Sequence, residues 1–160
     1  MANVHLFEVQ LEWTGNQGKG TQHYTGYSRD HIIRAEGRPD ISCSADPVFR
    51  GNAARYNPEQ LLVASLASCH MLWYLHLCAN AKIVVDAYRD NPSGTLLEEA
   101  DGSGRFKEVV LHPEVTVRDP SWIARANELH TQAHELCFIA RSCNFPVHHF
   151  PVCRAGSTGV

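Results

Sequence analysis

Between Leu61 and Ala81 the chain is apolar in every direction around a helix. Leu61, Leu62, Val63, Ala64, Leu66, Ala67, Cys69, Met71, Leu72, Trp73, Leu75, Leu77 and Cys78 leave no continuous polar stripe. Asn57-Pro58-Glu59-Gln60 starts the helix: Asn caps, Pro takes the first helical position, and Gln60 is placed to close a capping box. A helix without a polar face is expected to be buried on all sides. In a chain of 160 residues that predicts a central helix wrapped by sheet or by a partner subunit.

The segments around it read as strands. His5, Phe7, Val9, Leu11 and Trp13 alternate with Leu6, Glu8, Gln10 and Glu12, the period of a half-buried strand. Gly15 to Gly20 is turn chemistry, and Thr21 to Ser28 reads as the returning strand. Shorter strands are expected at His31 to Ala35 and Asp40 to Ala45, then a loop from Asp46 to Tyr56. Beyond the helix, Ile83 to Arg89, Thr95 to Ala100 and Phe106 to Val117 read as strands, with a hairpin turn at Asp101-Gly102-Ser103-Gly104. A second helix is predicted from Ser121 to Ser142, where Trp122, Ala126, Leu129, Ala133, Leu136 and Ala140 share a face. Phe145 to Val152 is expected to close a sheet, with 154–160 a flexible tail. The order of elements predicts one α+β domain over residues 1–160.

Composition excludes several functions. A formal charge of -3 with no basic stripe gives no case for nucleic acid. No apolar run reaches the roughly 18 to 20 residues of a membrane span without polar interruption. The N-terminus lacks the basic start and apolar stretch of a signal peptide, so the expected compartment is the cytoplasm. No GxGxxG, P-loop or flavin signature calls for a cofactor.

Six cysteines remain: Cys43, Cys69, Cys78, Cys137, Cys143 and Cys153, with no CxxC pair. In a reducing compartment they begin as thiols. Cys69 lies mid-helix among small neighbours, Ser65, Ala67 and Ser68, that let another element approach its sulfur. Cys137 lies one turn from the end of the second helix, about 60° from its stripe centre. Cys78 is about 13 Å along the helix from Cys69, too far for a bridge within it. Taken singly, each cysteine also fits a small buried hydrophobe.

Asn57-Pro58-Glu59-Gln60-Leu61-Leu62 followed by Ala67-Ser68-Cys69 resembles the first cysteine motif of the OsmC/Ohr family. His134-Glu135-Leu136-Cys137-Phe138-Ile139-Ala140-Arg141-Ser142 resembles its second. The resemblance spans nearly the whole chain. It implies an OsmC-like fold, antiparallel sheets wrapped around long central helices in an intertwined homodimer. It also implies that the two motif cysteines meet although they lie on different helices. By the same resemblance Cys69 attacks a hydroperoxide as thiolate and becomes a sulfenic acid, and Cys137 condenses with it to a disulfide. A dithiol, lipoyl-linked in known relatives, then resets the pair. Leu62, Leu66, Met71 and Trp73 are expected to line an apolar approach favouring organic hydroperoxides. The family's activating arginine has two candidates, Arg50 first and Arg29 second. Glu59 matches the glutamate that orients it; about 15 Å of helix separates it from its own Cys69, so it would act across a dimer interface. Phe138 stands where many relatives carry proline.

Two other readings fit parts of the sequence. His130, His134 and Cys137, at i, i+4 and i+7, project from one side of a helix and would suit a metal ion. The same fold without peroxidase activity could serve as a dimer that binds a small molecule.

Overall fold

The computed structural model describes residues 3–156, which fall into two compact units, one on each side of the boundary between Leu61 and Leu62.

The first unit is built on an antiparallel sheet of three strands, β1 (Gln10–Trp13), β2 (His31–Arg34) and β3 (Ile41–Cys43), in that order. β1 is shorter than the alternation of His5 to Trp13 predicts. β2 offers a ladder partner only from Gln10 onward, and Leu6, Phe7 and Val9 before it are exposed. The predicted strand at Thr21 to Ser28 is not formed. Its backbone groups are spent in turns: Gly26 N–H donates to His23 O, Ser28 N–H to Gly15 O, and the Arg29 guanidinium caps the carbonyls of Tyr24 and Tyr27. The returning strand is β2 instead. The predicted loop after β3 holds one short 3-10 turn, Pro47–Phe49, capped by the Asp46 carboxylate on Val48 N–H. Gly51 closes this loop against Ala45, and a Cβ there would fall on the Ala45 carbonyl oxygen.

Helix α1 runs from Pro58 to Asn80. Its start has the reciprocal form the sequence predicts: Gln60 N–H donates to Asn57 Oδ1 at 2.8 Å, and Asn57 N–H to Gln60 Oε1 at 3.3 Å. The expectation that α1 is buried on all sides is not met within one chain. Leu66, His70, Tyr74 and Cys78 form a single buried stripe at i+4 spacing, whereas Leu72 is 63 % exposed. By length and composition alone α1 could also cross a membrane, yet two members of its buried stripe are polar residues seated against protein partners.

The second unit carries two mixed sheets. One orders β4 (Val85–Arg89), β7 (Glu114–Val117) and β9 (Val152–Ala155); the other orders β5 (Ser93–Glu98), β6 (Gly104–Leu111) and β8 (Val147–His149). β5 and β6 form the hairpin expected around Asp101 to Gly104. The predicted single strand Phe106 to Val117 is split at His112-Pro113 into β6 and β7, and Phe145 to Val152 is split at Phe150-Pro151 into β8 and β9. The two splits lie side by side. β8 runs parallel to β6, β9 runs parallel to β7, and both chains step from one sheet to the other at a proline. Proline cannot donate to a ladder, so a strand changes partners there at little cost. The steps are bridged by Phe150 N–H to Leu111 O at 2.9 Å and Val152 N–H to Pro113 O at 2.8 Å. Arg154 and Ala155, predicted to begin a tail, belong to β9 because Thr116 and Val117 give them ladder partners. The remainder of the predicted tail, 157–160, lies outside the described residues.

The second predicted helix is interrupted. A 3-10 turn at Pro120–Trp122 leads into α2 (Ile123–Leu136), which ends before Cys137, and a short α3 follows (Phe138–Arg141). Cys137 is extended, with φ −66° and ψ 110°, so the chain turns at the cysteine rather than passing it as one more helical residue. Two apolar clusters fill the unit: Leu66 with Val109, Leu111 and Val147, and Tyr74 and Cys78 with Val115, Val117, Ala126, Leu129 and Ala133.

Gly51→Ala should lower stability by about 1–3 kcal/mol, the usual cost of forcing an extra methyl into a closed contact. Urea unfolding at constant slope reads this, and an unchanged midpoint would contradict the close approach.

Candidate functional site

Cys69 sits on α1 within the second unit, one residue before the buried His70, and its thiol is partly exposed. The neighbouring serines turn their hydroxyls back onto the helix: Ser65 Oγ donates to Leu62 O at 2.8 Å and Ser68 Oγ to Ser65 O at 3.2 Å. The flank of Cys69 therefore stays small and internally satisfied. Leu66, expected to line an approach to this thiol, is instead fully buried against Val109, Leu111 and Val147.

Cys137 is only 1 % exposed and occupies the break between α2 and α3. Its N–H donates to His134 O, ending α2, and its Sγ accepts the Ala140 N–H at 3.4 Å, starting α3. The Cys69 thiol lies close enough to the Cys137 thiol to bear on its ionisation. Burial pushes the Cys137 thiol up to about 11; the adjacent Cys69 thiol adds to the rise, and the Ala140 N–H opposes it. At neutral pH Cys137 is thus held as the protonated thiol. The structure brings together the two cysteines that the sequence motifs single out.

Beside them stands an aromatic pair. Trp73 lies one helical turn beyond Cys69, Phe138 directly follows Cys137, and their rings meet edge to face at 5.5 Å and 90°. Phe138 takes the first position of α3, where a proline is equally well accommodated, and it is 67 % exposed.

The remaining candidates lie in the first unit. Arg29 donates to the carbonyls of Tyr27 and Tyr24, at 2.7 Å each, and its guanidinium lies over both rings at 4.2 and 4.4 Å. Arg50 adopts left-handed backbone, φ 64°, at the end of the 3-10 turn, and its guanidinium is 5.9 Å from the same Tyr24 ring. The two arginines proposed as alternatives therefore flank one tyrosine. Both line a cleft of about 450 Å³ with Ser28, Asp30, Ser44 and Asn52. Glu59 occupies the first turn of α1, and among the described residues it has no salt-bridge partner.

The one-sided metal array expected from His130, His134 and Cys137 is not formed, because α2 ends before Cys137 and carries its sulfur away from the helix face. Among the described residues no group of His, Cys, Asp or Glu is arranged to hold a metal ion. His130 turns inward instead. Its Nδ1 lies 2.9 Å from His70 Nε2, and its ring stacks on Tyr74 at 3.9 Å. His149 of β8 stands close by, with ring centroids 5.4 Å from His70 and 5.3 Å from His134. Sequence reading missed this imidazole cluster, although His70 and Tyr74 at i+4 spacing in an otherwise apolar helix are its visible trace.

The chain matches the OsmC family of OsmC-like proteins over residues 51–149. It belongs to that family. An OsmC-like protein of unknown function from Vibrio cholerae shares 30 % identity and superposes with a TM-score of 0.84, over 93 % of this chain and 100 % of that one. An organic hydroperoxide resistance protein OsmC from Legionella pneumophila, 18 % identical, covers 94 % and 98 % at a TM-score of 0.65. The organic hydroperoxide resistance protein of Bacillus subtilis, 21 % identical, covers 94 % and 100 % at 0.58. These last two likenesses concern the fold alone. No curated protein matches the chain. This OsmC-family fold is of mixed helix and sheet, as the element order predicted.

Burial lowers the His70 pKa to about 4 and that of His130 to about 3, with the other imidazoles of the cluster adding to the effect. Each ring is neutral in the fold, while the unfolded chain takes up protons near pH 6.5. The unfolded state therefore binds more protons on acidification, and stability must fall as pH drops from about 6.5 toward 4. The slope approaches 1.4 kcal/mol per pH unit for each ring, as an order of magnitude. Urea unfolding at pH 7, 6 and 5 checks this: a wild-type midpoint that does not fall, or a fall undiminished in His70→Gln, would remove the cluster as its source.

Proposed function

We infer that this protein is a thiol peroxidase that reduces organic hydroperoxides through Cys69 and Cys137. The observation that carries the reading is the nearness of the two thiols, one partly exposed and the other buried and held protonated, in an OsmC-family fold. Some structural neighbours are named organic hydroperoxide resistance proteins.

The unequal burial divides the labour. A peroxide arriving from solvent meets the sulfur of Cys69 first. The Cys69 thiolate attacks the distal peroxide oxygen; the O–O bond breaks, and the alkoxide leaves as alcohol after taking a proton. Cys69 is then a sulfenic acid. The Cys137 sulfur attacks the Cys69 sulfur, the S–O bond breaks, and the hydroxyl leaves as water with the Cys137 proton. A dithiol returns the resulting disulfide to two thiols and is itself oxidised to a disulfide. The family resemblance calls for a cation to stabilise the Cys69 thiolate, for which Arg50 is the first candidate and Arg29 the second, with Glu59 matching the glutamate that orients it. Trp73, Met71 and Leu62 supply the apolar approach, joined by Phe138.

The acting form is a homodimer. Leu72 on α1 and Leu6, Phe7 and Val9 near the N-terminus are exposed apolar side chains that a second subunit would cover.

Mass spectrometry of the reduced protein after one equivalent of cumene hydroperoxide tests the chemistry. The wild type should lose a pair of hydrogen atoms to a Cys69–Cys137 bridge, whereas Cys137→Ser should stop at a dimedone-trappable sulfenic acid on Cys69. A Cys69 thiol persisting beside unreacted peroxide would end the proposal. Turnover of cumene hydroperoxide should exceed that of hydrogen peroxide by at least about tenfold in kcat/KM; equal values would remove the apolar approach. Size-exclusion chromatography should give a dimer, and a monomer would count against the shared interface.

A further inference from the structure

We propose that the hydrogen bond between His70 and His130 is a positioning device that sets the approach of the Cys69 and Cys137 sulfurs, making both histidines positioning residues for disulfide closure. This rests on reading Cys69 and Cys137 as a redox pair.

Cys69 is carried by α1 and Cys137 directly follows the last residue of α2, and each of these two helices contributes one member of the imidazole pair. His70 directly follows Cys69 on α1, and His130 lies on α2 about two turns before the break at Cys137. Their contact, His70 Nε2 to His130 Nδ1 at 2.9 Å, is the one direct side-chain hydrogen bond between α1 and α2 among the described residues. Everything else between the helices there is packing, such as Tyr74 and Cys78 against Ala126, Leu129 and Ala133. Packing opposes a slide through many small, non-directional contacts. A hydrogen bond inside an apolar core adds a directional constraint at one point, because a donor or acceptor pulled away from its partner there is left unsatisfied.

That lack of substitutes is visible here. The other ring nitrogens, His70 Nδ1 and His130 Nε2, have no hydrogen-bond partner among the described residues, and both residues are buried. Among the described residues the shared bond is therefore the one that each ring makes. One ring donates its N–H and the other accepts with its lone pair, so the pair functions only while at least one ring is neutral. The surroundings keep both neutral. The cluster faces His134 from α2, His149 from β8 and Tyr74 from α1; Cys78, Tyr88 of β4 and Cys153 lie beyond Tyr74, and Asp90 bears on Tyr88. His148 points the other way, toward Glu108.

Sliding α1 against α2 breaks this bond and moves Cys69 away from Cys137 in the same motion, since His70 and Cys69 are adjacent on one rigid helix. A lock at this point keeps the sulfurs in contact without a bond between them. That is what a high effective concentration of one thiol at the other requires.

The test is the glutathione equilibrium of the pair, in which protein dithiol and glutathione disulfide exchange for protein disulfide and two reduced glutathiones. It is measured at pH 7 by mass spectrometry and needs no peroxide turnover. His130→Phe keeps a ring to stack on Tyr74 and deletes the hydrogen bond; His130→Asn loses the ring and places a polar atom where Nδ1 stood. The expected result is a fall of at least about tenfold in effective concentration for His130→Phe, with His130→Asn within about threefold of wild type. A wild-type value in His130→Phe, or equal losses in both variants, would overturn the proposal in favour of ring packing. Should His130→Phe not fold, His70→Leu against His70→Gln, whose amide reaches the Nε2 position, makes the same comparison. Failure of the wild type to form the Cys69–Cys137 disulfide would end both readings. Formation of the disulfide without consumption of hydroperoxide would end the peroxidase reading alone and leave this one standing.

Discussion

The stripe Leu66, His70, Tyr74 and Cys78 is what α1 commits to the protein interior, and two of its four members are polar. Burying an imidazole is tolerable only if the ring is neutral and at least one nitrogen finds a partner. His130 of α2 supplies that partner, and Tyr74 covers the face of the same ring. The rotation of α1 about its axis follows from this seating. With His70 turned inward, Cys69 comes to the edge of the buried stripe, where its thiol is partly exposed and still meets Cys137.

The two sheets of the second unit are joined by a second constraint. Strands β6–β7 and β8–β9 each change sheets at a proline, at Pro113 and Pro151, and they do so as parallel neighbours. Backbone bonds from Phe150 and Val152 bridge the gap, so the step leaves few unsatisfied groups. This shared step carries His149 on β8 up to the imidazole cluster and Cys153 on β9 up to Tyr74 and Cys78. The thiol chemistry proposed for the protein thus stands on an apolar support reached from three directions: α1, α2 and the end of the chain.

The two cysteines differ in burial, Cys69 partly exposed and Cys137 enclosed. Cys137 closes one helix and opens the next, and burial raises its pKa more than the backbone N–H groups of Ala140 and Ile139 lower it. A thiol kept protonated and out of solvent is a poor first target for a peroxide and a well-placed second nucleophile once its neighbour is oxidised. The first unit holds its cations differently. Arg29 is stacked on two tyrosines and bonded to two carbonyls, whereas among the described residues Arg50 forms no salt bridge.

Local chemistry made much of this legible in the sequence. The reciprocal cap at Asn57 and Gln60, the Asp101 to Gly104 hairpin, the α+β order and the pair of cysteine motifs all depend on residues close together in the chain, where propensity and hydrogen-bond reach decide the outcome. What the sequence could not determine was decided by partners distant in the chain. Period-two alternation ran on through His5 to Trp13, but strand existence needs a ladder, and β2 supplies one only from Gln10. Helical periodicity ran on through Cys137, but the helix stops there because the sulfur takes the Ala140 N–H. The cysteine motifs singled out Cys69 and Cys137 by resemblance, but only the packing of α1 against α2 brings those two close together. The inward turn of His70 and His130 was equally hidden, since whether a histidine faces solvent, a metal or another histidine depends on which helix is packed opposite it. Hydrophobic pattern and capping are properties of a segment, whereas burial, pairing and thiol acidity are properties of the neighbours that folding brings to it.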